Sequence, residues 1–501
     1  RIPPARRPAL CAQVARVRLV PLVENVGALA HLPDLLEMFY VALERNRAIA
    51  ELPSTDGFVT RFDGSDAHVR VFVAMSDTAE QSGKIAADVA YTLAIAGREE
   101  CERRLAAHAL RIGAPAPRVT FLIGSGRAGF RGGLEPAHEG VIAQFSRADG
   151  VTLQGIRADA PVEARQLAQR YRETVAAGPS PLHLNPADRE VLTALLERGT
   201  REHTTTLLRI APLIAPFGGL VPQTRVRIRS AGSTSYGRSI PEYPPEWNDG
   251  AGLPDNRDLR DAWPEGVTLP RAIVYNLGCT TLGLPAVTSD LAALDKRGAV
   301  LLERVVPGYR EILASELPCF VKESVALVFG RRFADTTEQH VRRAAAALWA
   351  DVKLREDLFV PTCLFAMLYL RYLAEDSDSW DEPKEHESLA TRESELIRET
   401  SSGAFIALCA EKPGKRWNVL QTLLDTEDAT RLLLARELTI EEKREFVDLA
   451  IDGWMRTVPD DLARVLRREW SRLRELEKDV LTLRAIRQLV ENEQLRGSRG
   501  A

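Results

Sequence analysis

Phe121-Leu-Ile-Gly-Ser-Gly-Arg-Ala-Gly-Phe-Arg-Gly-Gly-Leu134 opens as an apolar strand and breaks up into glycines, at Gly124, Gly126, Gly129, Gly132 and Gly133. Arg127 and Arg131 sit inside the glycine-rich part. Glycines let the backbone approach a ligand closely and adopt φ > 0, and two guanidiniums among them suit a small, strongly anionic group such as phosphate or carboxylate. The stretch reads as an anion-binding loop at the end of a strand. A glycine-rich surface turn with solvated arginines is the plain alternative.

Similar units flank it on both sides. Val17-Arg-Leu-Val-Pro-Leu-Val-Glu24 is a β-branched run ending on a carboxylate, with helix-like sequence through Ala48. Val69-Arg-Val-Phe-Val-Ala-Met-Ser-Asp77 repeats the plan, and a helical stretch from Lys84 to Arg111 leads to the strand Pro117–Gly124. Val151-Thr-Leu-Gln-Gly-Ile-Arg157 is a fourth strand, with helical Pro161–Ala177 behind it. Further strands are expected at Thr224–Ser230 and Ala272–Leu277. Strands alternating with helices imply a parallel sheet, and polar residues recurring at strand ends imply a (β/α) barrel with its site on that face. An open doubly wound sheet is the other α/β arrangement of this pattern. A closed barrel needs eight strands, so the fold expected is a TIM-type (β/α)₈ barrel, incomplete here, over residues 1–290, followed by a mostly helical region over 291–501. Ile240 to Leu269, with Trp247 and Trp263, reads as a long loop. Glu375 to Glu385 is a polar interruption, and Leu473, Leu476, Val480 and Leu483 have the spacing of a helix packing one face.

The 501 residues, 45% hydrophobic and 27% charged, belong to the globular class and suffice for two or three domains. A net charge of −4 offers no overall attraction for nucleic acid or an anionic membrane, so an anionic ligand must be held locally. No apolar run is long enough to span a bilayer, and the Pro/Arg-rich start lacks the apolar core of a signal peptide. Six scattered cysteines without a CxxC pair indicate neither a zinc site nor a disulfide framework, which fits a reducing cytoplasm. The chain begins with Arg1 rather than methionine, so either processing or a missing upstream part is expected.

Glu24 and Asp77 end neighbouring strands and would face the same end of the sheet. Two oxygen ligands there suit Mg²⁺ or Mn²⁺, with water and substrate oxygens completing the octahedron. Capping of the following helices is the structural alternative for both. The histidines show neither HxH nor HExxH spacing, which disfavours a zinc hydrolase, and only His138, just beyond the glycine loop, is a candidate. Ser125 does not lie in a GxSxG elbow. Arg238 and Arg271 are further candidates for gripping an anion, and Gln154 and Arg157 end the fourth strand.

Taken in order, these motifs resemble phosphoenolpyruvate carboxylase of the shorter, archaeal type. The match runs through Val20-Pro-Leu-Val-Glu24, Val71-Phe-Val-Ala-Met-Ser-Asp77, Phe130-Arg-Gly-Gly-Leu134, Thr152-Leu-Gln154, Tyr236-Gly-Arg-Ser239 and Leu269-Pro-Arg-Ala-Ile273. It continues weakly through Leu282-Gly-Leu-Pro285 and Pro307-Gly-Tyr309. The resemblance implies a (β/α)₈ barrel, Glu24 and Asp77 as metal ligands, and Arg131, Arg238 and Arg271 as catalytic arginines. Gly132, Gly133, Gln154, Arg157 and Arg127 would bind substrate. It further implies carboxylation of phosphoenolpyruvate by bicarbonate to oxaloacetate and phosphate, through carboxyphosphate and a metal-held enolate, in a cytoplasmic homo-oligomer feeding the tricarboxylic acid cycle. Two departures stand out. The catalytic His-Pro motif of the family's amino-terminal half has no counterpart in this sequence, and Arg127 and Gly129 stand where the archaeal pattern has an uncharged residue and proline. A non-catalytic homologue that keeps an anion- or metal-binding half-barrel, and another Mg²⁺-dependent barrel enzyme acting on phosphoenolpyruvate or a 2-oxo acid, are the alternatives.

Overall fold

In the computed structural model the described residues are 20–50, 60–62, 66–111, 116–126, 129–154, 161–178, 182–214, 272–348, 358–375 and 440–475. They form a mostly helical α/β fold in two compact units. Of the described residues, the first holds those up to Arg201 together with 293–312, and the second holds 202–214, 272–292 and those from Leu313 onward.

Alternation of side chains builds the sheet of the first unit. β1 (Leu22–Val23), β3 (Asp66–Ala74), β4 (Arg118–Gly126) and β5 (Gly150–Gln154) lie parallel in that order, and β2 (Thr60–Phe62) pairs antiparallel with the start of β3. Val69, Val71 and Val73 of β3 and Val119, Phe121 and Ile123 of β4 are all buried, whereas Arg70, Phe72, Thr120 and Leu122 on the opposite face are half-buried. A period of two with β-branched residues on the dry face is what a strand on a helical layer requires.

The helices follow the strands. α1 (Val26–Ala30) and α2 (Leu32–Ala50) come after β1, and α3 (Met75–Ser82), α4 (Lys84–Ala96) and α5 (Arg98–Arg111) connect β3 to β4. α6 (Glu139–Phe145) connects β4 to β5, and α7 (Pro161–Ala177) follows β5. Such crossovers let neighbouring strands run parallel, which a tight turn cannot do. α5 buries Cys101, Leu105 and Ala109, four residues apart, and turns its charged side outward. α4 is buried along nearly its whole length and carries an ion pair inside, Lys84 with Asp88, side chains 4% and 3% exposed. Burial pushes the Asp88 carboxyl up, against the pull of Lys84.

The second unit is helical throughout its described residues. Ala272–Thr281 is an α-helix, where the sequence pattern suggested a strand. A short apolar run gives too little period to separate the two, and Ala272, Tyr275 and Cys279, spaced three and four apart, are buried together as one helical face. Phe359–Glu375 is apolar almost all round, so it is buried by its neighbours: Tyr369 Oη donates to the Leu213 carbonyl at 2.5 Å, and Arg371 pairs with Asp448 at 2.6 Å. Asp460–Glu475 contains Leu473, and the rest of the expected closing helix lies outside the described residues. So do the polar interruption beyond Glu375, the loop Ile240–Leu269 and the strand expected at Thr224–Ser230. Among the described residues no helix is long and apolar enough to cross a membrane.

Lys84→Met should cost about 3–5 kcal/mol in urea denaturation, because it leaves Asp88 buried without its cation. Pairing it with Asp88→Leu should recover most of the loss. In the single variant Asp88 must be buried protonated, so the folded state holds a proton that the unfolded chain gives up above about pH 4. Its stability should therefore fall as pH rises above that value, and a flat profile there would contradict the assignment.

Candidate functional site

Parallel pairing brings the ends of four strands to one edge. Val23 is in register with Val73, Ala74 with Gly124, and Gly126 with Gln154. Glu24, the start of α3, the glycine loop and the backbone of Gln154 therefore leave the sheet on the same side. This carboxyl edge is where α/β folds hold their ligands.

Both carboxylates are half-buried there. Glu24 does not cap the helix that follows, because the Asn25 carboxamide does so, accepting from Gly27 N–H at 2.7 Å and Ala28 N–H at 3.2 Å. Asp77 is displaced from the expected strand end: β3 stops at Ala74, and Asp77 stands in the first turn of α3, where the helix dipole favours a negative charge. Glu80, one turn further along α3, is buried at 2% exposure. Among the described residues no three histidines, cysteines or carboxylates gather into a metal-binding group. Mg²⁺ commonly takes only one or two carboxylates and keeps water and substrate oxygens, so a pair at one sheet edge fits such an ion.

The loop after β4 closes on itself. Gly129–Arg131 forms a 3₁₀ turn packed against α3 and β4. Arg131 is 8% exposed, with its guanidinium 5.6 Å from the Phe130 ring centroid. A guanidinium is a group that can meet phosphate or carboxylate with paired hydrogen bonds. Gly132 and Gly133 take φ of +100° and +66°, a conformation that side chains disfavour. A Cβ on Gly132 would stand 2.6 Å from the Phe145 ring of α6, which itself packs on Tyr91 with centroids 5.5 Å apart. His138, at the start of α6, bonds through Nδ1 to the Gly133 carbonyl at 2.9 Å. Ser125 is fully buried and donates to the Arg131 carbonyl at 3.0 Å, a structural contact within the loop.

The segment 305–312 also reaches this region. Arg147 donates to the Val305 carbonyl at 3.0 Å, and Tyr309 lies under Lys84 of α4, its ring centroid 5.8 Å from Nζ. The sequence reading missed the Lys84–Asp88 pair. Its four-residue spacing was a visible signal, but it is the spacing of any solvated helix pair. Arg127, Arg157, Arg238 and Arg271 lie outside the described residues.

A family model described as phosphoenolpyruvate carboxylase matches residues 10–365, most of the chain and all of the sheet edge just described. The chain belongs to this family. Its relatives of that name include those of Methanosarcina mazei, 25% identical over 315 residues covering 60% of this chain and 53% of the relative. The Methanopyrus kandleri protein is 26% identical over 333 residues, 65% of this chain and 57% of the relative. That of Halobacterium salinarum is 23% identical over 302 residues, 60% of this chain and 50% of the relative. The chain thus spans about half the length of the curated relatives it matches. The match runs past Tyr309 into Phe359–Glu375, so the helical residues beyond 310 are partly family sequence.

Gly132→Ala should lower stability by about 2–3 kcal/mol, from its φ and the clash with Phe145. Equilibrium denaturation reads this directly, and an unchanged midpoint would mean that the loop does not hold Gly132 in this conformation.

Proposed function

We propose that this chain carries the phosphoenolpyruvate-handling edge of a phosphoenolpyruvate carboxylase, within a (β/α)₈ barrel whose portion here covers residues 1–290, followed by a helical region over 291–501. The reaction joins phosphoenolpyruvate and bicarbonate into oxaloacetate and phosphate. The observation that carries the reading is the convergence of Glu24, Asp77 and the Arg131–Gly133 turn on one carboxyl edge of a parallel sheet, in a chain of this family.

In the reaction a bicarbonate oxygen attacks phosphorus and the bond from phosphorus to the enol oxygen breaks, giving carboxyphosphate and pyruvate enolate. Carboxyphosphate then releases carbon dioxide, which the enolate carbon captures. Arg131 would neutralise charge on the transferring phosphoryl group from a buried position, where a fixed cation acts more strongly than in water. Gly132 and Gly133 would let the phosphoryl oxygens approach the backbone. Arg127, Gln154 and Arg157, which follow β4 and β5 in sequence, are proposed to line the substrate, and Arg238 and Arg271 to complete the cationic set. Glu24 and Asp77 would hold a divalent cation, Mg²⁺ or Mn²⁺, which when bound supplies Lewis-acid stabilisation of developing negative charge. Burial around the loop would keep water from the enolate. A homo-oligomer is proposed from the family likeness alone, and a cytoplasmic setting without nucleic-acid or membrane partners from the composition.

Two measurements test the proposal. A coupled assay for oxaloacetate with phosphoenolpyruvate, bicarbonate and Mg²⁺, run on this chain and on the product of the full reading frame, should show turnover in the longer product that stops when bicarbonate is withheld. Turnover that persists without bicarbonate would instead indicate another enolate-forming enzyme, and binding of phosphoenolpyruvate without turnover a binding module. Asp77→Asn should weaken Mn²⁺ binding on the order of tenfold at unchanged circular dichroism, since it removes a ligand charge at nearly constant shape. Equal Mn²⁺ affinity would remove Asp77 from the metal set.

A further inference from the structure

The glycine loop holds two peptide units firmly and leaves the one between them with a donor that no described residue takes up. The peptide joining Arg131 to Gly132 is fixed at both atoms: its carbonyl accepts from the Ser125 hydroxyl at 3.0 Å, and its N–H donates to the Gly129 carbonyl at 2.9 Å. The peptide joining Gly133 to Leu134 is fixed in the same way, with its N–H donating to the Gly126 carbonyl at 2.9 Å and its carbonyl bonded to His138 Nδ1 at 2.9 Å. A carbonyl only accepts, so His138 carries a proton on Nδ1. Between them, the N–H of Gly133 has no hydrogen-bond partner among the described residues, although Gly133 is buried.

A buried amide left in that state costs about 1–3 kcal/mol, and such amides are rare in native folds. Here the neighbours hold it in place. Successive residues at φ of +100° and +66° take the chain out of any strand ladder at this amide, and the buried Arg131 belongs to the same turn. A donor fixed before the ligand arrives needs no reorganisation when charge develops on the oxygen it meets.

We infer that Ser125 and His138 are positioning residues, which hold the Gly133 N–H as a fixed donor to an oxygen of the substrate's phosphoryl group. His138 acts through the peptide it bonds and does not itself touch the ligand. The inference deepens the proposed function and rests on it.

The test reads the Gly133 amide itself. The sequence holds two Gly-Gly pairs, ending at Gly133 and Gly219, so glycine labelled at nitrogen and at carbonyl carbon isolates two amide signals in the full chain. Titration with inorganic phosphate or phosphoenolpyruvate should shift the Gly133 signal, and pyruvate, which lacks the phosphoryl group, should not. His138→Phe should need about tenfold more phosphate for the same shift, the effect of one hydrogen bond to a charged group. Ser125→Ala should weaken the response in the same direction. His138→Asn, whose carboxamide N–H can occupy the Nδ1 position, should restore most of it, and denaturation midpoints will confirm that each variant is folded. His138→Phe titrating like the parent, or His138→Asn doing no better than His138→Phe, would overturn the positioning role. An equal shift with pyruvate would overturn the phosphoryl assignment. Calorimetry keeps the two readings apart: binding of phosphoenolpyruvate without a shift at Gly133 defeats this inference alone, and no binding at all defeats the proposed function with it.

Discussion

The parallel register of β3 with β4 is the constraint on which the rest of the first unit depends. Seven residues, His68 to Ala74, pair with Arg118 to Gly124, and the pairing puts both strand ends at one edge. Parallel strands oblige the chain to cross back through helices, so α3, α4 and α5 exist in part to make that return. Because α3 starts at the strand end, Asp77 is placed near the edge by the connection itself. The same pairing sets Gly124 beside the Phe72 ring, 3.0 Å from where a Cβ would stand, so the strand becomes glycine as it reaches the site.

Holding the loop requires that β4 be fixed as well as paired. Asp149 accepts from the Phe121 N–H at 2.8 Å and from Arg98 at 3.1 Å, and the Arg98 guanidinium lies 5.0 Å from the Phe121 ring centroid. One carboxylate thus ties the middle of β4 to α5 and to the turn that enters β5. The strand bearing the glycine loop cannot slide without breaking a charge-assisted bond and a ring contact together. Rigidity in β4 is what allows a glycine-rich loop, otherwise the most deformable kind of chain, to hold definite φ values.

The parts of this arrangement that alternate or repeat could be read from the sequence. Val69, Val71 and Val73 announce a strand, and the carboxylates after β1 and β3 announce a common edge. Other parts depend on partners distant in sequence. Asp77 looks like a strand terminus because Met75 and Ser76 continue the apolar run, yet the helix starts at Met75. Asn25, not Glu24, caps the first helix, a choice made by geometry within two residues. Lys84 and Asp88 have the spacing of a surface ion pair, and only the packing around α4 buries them. Nor does spacing reveal that His138 reaches back to Gly133, since the turn between them decides it.

The departure of the loop from the archaeal pattern can now be weighed physically. Gly129 stands where that pattern has proline, and it is not among the glycines at positive φ. It opens the 3₁₀ turn, and its carbonyl accepts from the Gly132 N–H. Proline keeps its carbonyl and fixes φ on the negative side, so either residue can supply that acceptor. Gly132 and Gly133 admit no such exchange, because φ at both positions excludes proline and penalises any side chain. Conformational demand in this loop is therefore concentrated at the two glycines beside Arg131. Backbone geometry at these two positions, rather than any side chain, is what the loop's sequence has to satisfy.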